Sequence, residues 1–181
     1  MRTRYPTDDK RRVCNSFFTE DVLKVAPGLL GKFLSVRQSD GNILRYMITE
    51  TEAYRGSDDK ACHASKGETS RNRVMFRRGG LVYVYFVYGM HWMFNVVTGK
   101  EKDPQAVLIR AVEGFDGPGK LTRALGIDGS FYGEDLVSSG RIWIEEGLND
   151  YSFRSLPRIG IDYAGEPWIS MPWRFVIDRK D

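Results

Sequence analysis

Glu50, Glu52 and Tyr54, spaced two apart in the run Ile48-Thr-Glu-Thr-Glu-Ala-Tyr54, are the residues of this chain best suited to chemistry. The run reads as a strand, and the strand period of two puts Ile48, Glu50, Glu52 and Tyr54 on one face. A carboxylate beside an aromatic ring can activate water next to a bound planar group, which is hydrolytic chemistry. A glutamate of ordinary acidity, with a pKa of ~4.3, is ionised at neutral pH and needs no unusual shift to act as a base. On the strand alone, the glutamates could equally pair with arginines on a solvated sheet face.

His63 follows, then Arg71-Asn-Arg73 and an aromatic run from Leu81 to Asn95 that contains Tyr83, Tyr85, Tyr88, Met90 and His91. Taken singly, these residues have ordinary readings. Tyr83 and Tyr85 suit a packed strand, His63 a surface position, Asn95 a turn, and Arg110 a salt bridge. Between Arg55 and Gly80 seven basic residues face three acidic ones, although the whole chain carries a net charge of only +3. That segment, with Arg71, Arg73, Arg77 and Arg78, suits phosphate contacts or a solvated loop.

Other chemistries fail on residue type. Gly114-Phe-Asp-Gly-Pro-Gly119-Lys120 begins like a nucleotide P-loop, but Leu121 replaces the required hydroxyl residue and Pro118 has no N–H for phosphate. Cys62-His63 beside Asp58 and Asp59 lacks a second ligand pair, so no metal is implied. Neither the zinc-deaminase signature nor a lysine within the site motifs occurs, which disfavours deamination and Schiff-base chemistry.

These residues need a framework. Ser16 onward reads as a short helix capped by Thr19, with Glu20 and Asp21 in its first turn and Pro27 ending it; a second short helix is expected through Leu29 and Leu30. Strands are expected at Phe33 to Arg37 and Ile43 to Tyr54 around an Asp40-Gly41 turn, then at Leu81 to Tyr88, His91 to Val97 and Ala106 to Val112. Asp116-Gly-Pro-Gly should cap a helix from Lys120 to Leu125 closed by Gly126, and shorter strands should lie near Arg141 to Glu145, Pro157 to Ile161 and Trp173 to Ile177. The expected fold is α+β: one domain over residues 14–181 with a curved, largely antiparallel sheet, short surrounding helices and a protruding β-hairpin. Residues 1–13 read as a loose polar arm. Two cysteines without a disulfide pattern, no signal peptide and no long apolar run point to an intracellular protein with no membrane span, cytoplasmic if bacterial and nuclear if eukaryotic.

Seven segments in order, Glu50-Thr-Glu-Ala-Tyr54, Arg71-Asn-Arg73, Tyr83-Val-Tyr85, Tyr88-Gly-Met90, Asn95, Leu108-Ile-Arg110 and Tyr163-Ala-Gly-Glu166, resemble the motifs of the alkyladenine (3-methyladenine) DNA glycosylase family, mammalian type. The resemblance covers about residues 16–178. It implies a cofactor-free, monomeric DNA repair hydrolase that flips damaged purines from duplex DNA and cleaves the N-glycosidic bond, without lyase activity. It further implies Glu52 as the general base. Arg110 would be a catalytic contact to phosphate and water, and Tyr54, His63 and Tyr85 would form walls around the flipped base. Asn95 would be a gate against guanine, Tyr88 the intercalating wedge, and Met90 and His91 minor-groove neighbours. His91 departs from the pattern, which commonly has tyrosine there. The alternative is a non-catalytic damaged-DNA or single-strand binding module, with the aromatics stacking on bases.

Overall fold

The computed structural model describes residues 11–147 and 150–178. Its organising element is a long strand, β2 (Ile43–Arg55), which serves two ladders in succession. Its first half pairs antiparallel with β1 (Phe33–Arg37) across the Asp40-Gly41 turn, where Gly41 takes φ +82°. Its second half lies between β5 (Gln105–Val112) and β9 (Arg174–Ile177), with Glu52 opposite Leu108 on one side and Arg174 on the other.

The hairpin of β3 (Val82–Val87) and β4 (His91–Thr98) continues the sheet beyond β5, and β7 (Ile142–Glu145) continues it beyond β1. The two-residue β6 (Phe115–Asp116) pairs with β5, and β8 (Phe153–Leu156) pairs with β9. Every pairing among the described strands is antiparallel. The fold is the expected α+β single domain with a curled antiparallel sheet and a few short helices.

Alternation along the strands sorts the two faces. Val82, Val84, Phe94, Val96, Val107 and Ile109 join the main core with Val22, Val25 and Ala26 of α2 (Val22–Gly28) and Leu121 and Leu125 of α3 (Pro118–Leu125). Each such valine, leucine or isoleucine side chain stabilises the fold by about 1.5–3 kcal/mol when fully buried. Tyr83, Tyr85, Asn95, Leu108 and Arg110 take the other face, and they line a cavity there.

Local chemistry changes several expected elements. A four-residue helix, α1 (Asn15–Phe18), precedes α2 where one helix was expected, and Thr19 Oγ1 donates to Ser16 O instead of capping. Asp21 caps α2 by accepting from Leu23 N at 2.9 Å. Pro27 falls in the last turn of α2 without ending it, because Leu29 N–H still reaches Val25 O at 2.9 Å. Leu29 and Leu30 form the buried turn after that helix, not a helix of their own. Gly117, within the expected capping segment, is the N-cap of α3, which begins at Pro118 and not Lys120; Gly126 ends it in the left-handed conformation as expected.

Ile48 does not share the face of Glu52. The β2–β5 register shifts on both sides of Glu50, and Ile48 turns into the main core. The strand expected at Pro157 to Ile161 lies earlier, at β8, since Pro157 has no N–H to give a ladder and Gly160 sits at φ +75°. At the chain start Val13 is buried, its N–H bonding Ile144 O at 2.9 Å, and Arg12 bridges to Glu145, so this end of the expected arm is docked. The remainder of the arm, residues 1–10, lies outside the described residues. Among the described residues no helix is long and apolar enough to cross a membrane.

Candidate active site

The second face of the sheet opens into a cavity of about 370 Å³ walled by Tyr54, His63, Tyr85, Asn95 and Arg110. Glu52 lies one layer beneath this wall and is 0% exposed. Two hydrogen-bond donors and one cation among the described residues hold its carboxylate. Tyr54 Oη donates to Oε2 at 2.9 Å, the Ile159 backbone N–H donates to Oε1 at 2.8 Å, and Arg110 Nη1 stands 3.4 Å from Oε2. All three residues line the cavity.

Arg110 also bonds Glu50 through Nε at 3.1 Å, and Arg174 reaches the same Glu50 oxygen at 3.0 Å. Burial raises the Glu52 pKa above the ordinary carboxylate range, against the opposing pull of Arg110, the Ile159 N–H and the Tyr54 hydroxyl. Glu52 is therefore more basic than a free glutamate, which changes the expectation of ordinary acidity. A buried carboxylate held by donors and one cation can accept a proton from a water brought to it.

The walls are aromatic and neutral. The His63 and Tyr85 ring centroids are 4.6 Å apart, and Tyr83 stands behind them, its hydroxyl 2.8 Å from His63 Nδ1. Burial, then the charges of Arg71 and Lys66, lower the His63 pKa, which keeps the imidazole neutral at neutral pH. Burial raises Tyr83 and Tyr85, and it raises Tyr54 with help from the charge of Glu52. Asn95 is 3% exposed and its Nδ2 donates to Tyr83 O (3.1 Å) and Met93 O (3.2 Å), so the amide is clamped in the wall.

The hairpin overhangs the cavity. Its turn is closed by Met90 N–H to Val87 O at 3.1 Å, with Tyr88 at φ +52° and Gly89 at φ +64°. Tyr88 is 89% and Met90 67% exposed. His91 turns back toward α3, where a Cβ on Gly119 would come within 2.7 Å of its ring nitrogen; a glycine there gives the imidazole its place.

The four arginines of the basic segment separate. Arg71 lies over the Tyr85 ring at 5.1 Å, beside the cavity. Arg73 is exposed on a short 3-10 helix. Arg77 stands near Glu68 (3.7 Å) and Glu101 (3.6 Å), while Arg78 pairs with Asp135 at 2.7 Å and bonds Asn15.

Sequence reasoning passed over Ile159 and Arg158, and weighed Asp59 only as a metal ligand. Ile159 acts through its main chain, which no side-chain type announces. Arg158 and Asp59 form a fully buried ion pair, with Nη1 to Oδ2 at 2.6 Å and Nη2 to Oδ1 at 2.9 Å. A signal existed in Pro157-Arg-Ile-Gly160, a charged residue between a proline and a glycine in an otherwise apolar stretch. Among the described residues no group of three or more His, Cys, Asp or Glu could hold a metal ion.

Comparison with known proteins gives the family. The methylpurine-DNA glycosylase family profile matches residues 16–116 and 114–181. A protein of Borreliella burgdorferi (strain ZS7), provisionally named a 3-methyladenine DNA glycosylase, is 45% identical over 178 residues, covering 91% of this chain and 95% of its own. Proteins with the same provisional name from Methanocella arvoryzae (45% identical, 88% of each chain) and Clostridium botulinum (44% identical, 91% of this chain and 95% of the relative) are equally similar. A profile spanning nearly the whole chain and relatives of this identity leave one assignment: the chain is a DNA glycosylase belonging to the methylpurine-DNA glycosylase family.

Proposed function

We propose that this chain is a monofunctional glycosylase that takes an alkylated purine, 3-methyladenine or 7-methylguanine, out of duplex DNA into the cavity and hydrolyses its N-glycosidic bond. An abasic site remains for base excision repair. The observation that carries the reading is Glu52, a wholly buried carboxylate fixed by two hydrogen-bond donors and one cation directly beneath an aromatic cavity.

In the reaction a water oxygen bonds the sugar C1′, the N-glycosidic bond breaks with its electron pair passing to the departing base, and Glu52 takes the water's proton. The developing positive charge on the sugar is met by the same carboxylate. At 3.4 Å the Arg110–Glu52 contact is longer than the roughly 2.7–2.9 Å of a tight charge-assisted bond, so a water that bridges the two gains an acceptor and a donor. An alkylated purine is cationic and leaves neutral, and its charge favours stacking on Tyr54 and Tyr85 by about 0.5–2 kcal/mol. Hypoxanthine and ethenoadenine are further candidate substrates; both are neutral and need a proton on leaving.

Tyr88 serves as the wedge that fills the space left by the flipped base, with the exposed Met90 beside it in the minor groove and His91 at the edge of the groove, its ring packed on Gly119. Asn95, unable to swing aside, meets the exocyclic amine of guanine. Arg71 and Arg73 face phosphates, with Arg77 and Arg78 drawn partly to carboxylates. Among the described residues no lysine lines the cavity, which favours hydrolysis over a Schiff-base lyase. The enzyme acts as an intracellular monomer on damaged double-stranded DNA.

The test is single-turnover excision from an end-labelled duplex carrying one hypoxanthine or a stable 3-methyladenine analogue, with abasic sites revealed by hot alkali. Glu52→Gln should bind the duplex yet excise about 10²–10⁴-fold more slowly. Excision by that variant at the wild-type rate would remove Glu52 from the chemistry, and alkali-independent cleavage by the wild type would overturn the monofunctional assignment.

A further inference from the structure

The Arg158–Asp59 pair takes no direct part in the hydrolysis, yet its position bears on it. Both side chains are 0% exposed. A buried pair of this kind offsets its desolvation only in part, and well-packed apolar residues often serve stability as well. Arg158 is not even fully satisfied, since its Nε is buried without a hydrogen-bond partner among the described residues.

What the guanidinium touches lies around Glu52 on two sides. Nη1 donates to the carbonyl of Ala53 at 2.9 Å, the residue between Glu52 and Tyr54. The guanidinium carbon lies 4.8 Å from the centre of the Tyr54 ring and 5.1 Å from that of Trp173. The next residue along the chain is Ile159, whose N–H holds Glu52 Oε1 at 2.8 Å. Arg174 Nε fixes the start of this loop through Pro157 O at 2.8 Å.

We propose that Arg158 is a positioning residue: paired with Asp59, it pins the Pro157–Ile161 loop to β2 so that the Ile159 N–H and the Tyr54 hydroxyl meet the Glu52 carboxylate together. The inference rests on Glu52 being the base. Arg158 touches neither base nor sugar, and it acts through the two donors whose geometry it sets. Loss of it lets the loop move by a fraction of an ångström to an ångström, enough to cost on the order of 10–100-fold in rate.

The charged and titratable groups around Glu52 are Glu50 and Tyr54 on its own strand, Arg110 from β5, Tyr85 from β3, Arg174 from β9 through Glu50, and Arg158 from the loop through Tyr54. Of the donors to Glu52, only the Ile159 N–H is carried by the loop that Arg158 anchors. With that donor displaced, the carboxylate loses a bond that favours its ionised form and takes up a proton at higher pH.

The experiment compares wild type, Glu52→Gln, Arg158→Lys and the double variant Arg158→Met/Asp59→Asn. The double variant removes both buried charges together, and the one oxygen of the introduced amide keeps an acceptor for the Ala61 N–H, now held by Asp59 Oδ1 at 3.0 Å, while the longer 3.2 Å bond from the Arg55 N–H to Oδ2 is given up. Thermal unfolding establishes folding, titration with lesion duplex gives Kd, and single-turnover excision is followed from pH 5 to 9. In a folded double variant we expect Kd unchanged, a rate roughly 10–100-fold lower, and an acid limb displaced to higher pH, with Arg158→Lys recovering part of the rate. A folded variant with the wild-type rate and acid limb overturns the proposal, as does a loss confined to Kd or melting temperature. Should the double variant not fold, Arg158→Lys is read by the same criteria. Wild-type excision by Glu52→Gln is the separate failure of the base assignment, and it takes this inference with it; an inactive Glu52→Gln beside a normal Arg158 variant overturns this inference alone.

Discussion

Replacing Arg110 by methionine keeps the aliphatic stem and removes the cation that stands against Glu52. The two nitrogen–oxygen separations, 3.1 Å to Glu50 and 3.4 Å to Glu52, each correspond to about 5 kcal/mol of gross attraction at an effective dielectric of about 20. The net loss is smaller, because the guanidinium's own desolvation cost also disappears and Arg174 still answers Glu50 at 3.0 Å. Breaking one side of a buried pair costs about 3–5 kcal/mol, and the 14% exposure of Arg110 argues for the low end, about 3 kcal/mol at pH 8. For a chain of this size that is a fall in Tm of roughly 6–12 °C.

The sign with pH is opposite to that of an ordinary salt-bridged carboxylate. Burial already holds the folded pKa of Glu52 above its unfolded value, and losing Arg110 raises it further. A group so shifted contributes stability below its unfolded pKa, and that contribution is lost as pH rises through the folded pKa. Arg110→Met should therefore be destabilised less at pH 5 than at pH 8, because the fraction of its Glu52 that is protonated grows as the pH falls. Urea unfolding at both pH values measures this, and Glu52→Gln/Arg110→Met should recover most of the loss at pH 8. Equal destabilisation at pH 5 and pH 8, or no recovery in the double variant, would refute the electrostatic account of the site.

Tyr88→Ala should leave Tm unchanged, since the side chain is 89% exposed, while slowing excision of a well-paired lesion more than of a mismatched one; equal slowing on both would argue against a wedge. Arg71→Gln should lessen the steepness of log K against log salt by about 0.9, the value of one phosphate contact, whereas Arg78→Gln, whose cation already serves Asp135, should leave the slope nearly as it is. Cys62 is buried and its thiol is pushed up to about 12, while the exposed Cys14 thiol is lowered by its bond to Ser16, so iodoacetamide at pH 8 should modify Cys14 alone until urea exposes the second thiol.

The strands and the shared face of Glu52 and Tyr54 were readable because alternation is a local property of consecutive residues. The same rule failed at Ile48, where the β2–β5 irregularity depends on a partner strand about sixty residues away in sequence. The cavity walls could be named from residue type and order, whereas the Ile159 N–H could not, since a main-chain donor is common to nearly every residue. Asp59 and Arg158 lie 99 positions apart, and no periodicity links them; only the fold brings that pair under the site. The cap of α2 was misread for a smaller reason. Thr19 and Asp21 are both acceptable cap residues, and the choice between them is made by where the chain segment docks.

At the hairpin tip two successive residues with positive φ, Tyr88 and Gly89, match the right-handed twist of the strands they join. A non-glycine residue in this conformation carries roughly 1–2 kcal/mol of strain, and here the strained residue bears a side chain that stands almost wholly in solvent. The tight turn, closed by the Met90 N–H to Val87 O bond, thus holds that side chain out from the sheet before any ligand is met. On the proposed reading the same wedge is offered to every base-pair step, and the work of parting the bases differs from one step to the next with the ease of unstacking. Recognition then begins as a mechanical measurement, in which the weakest step gives way first.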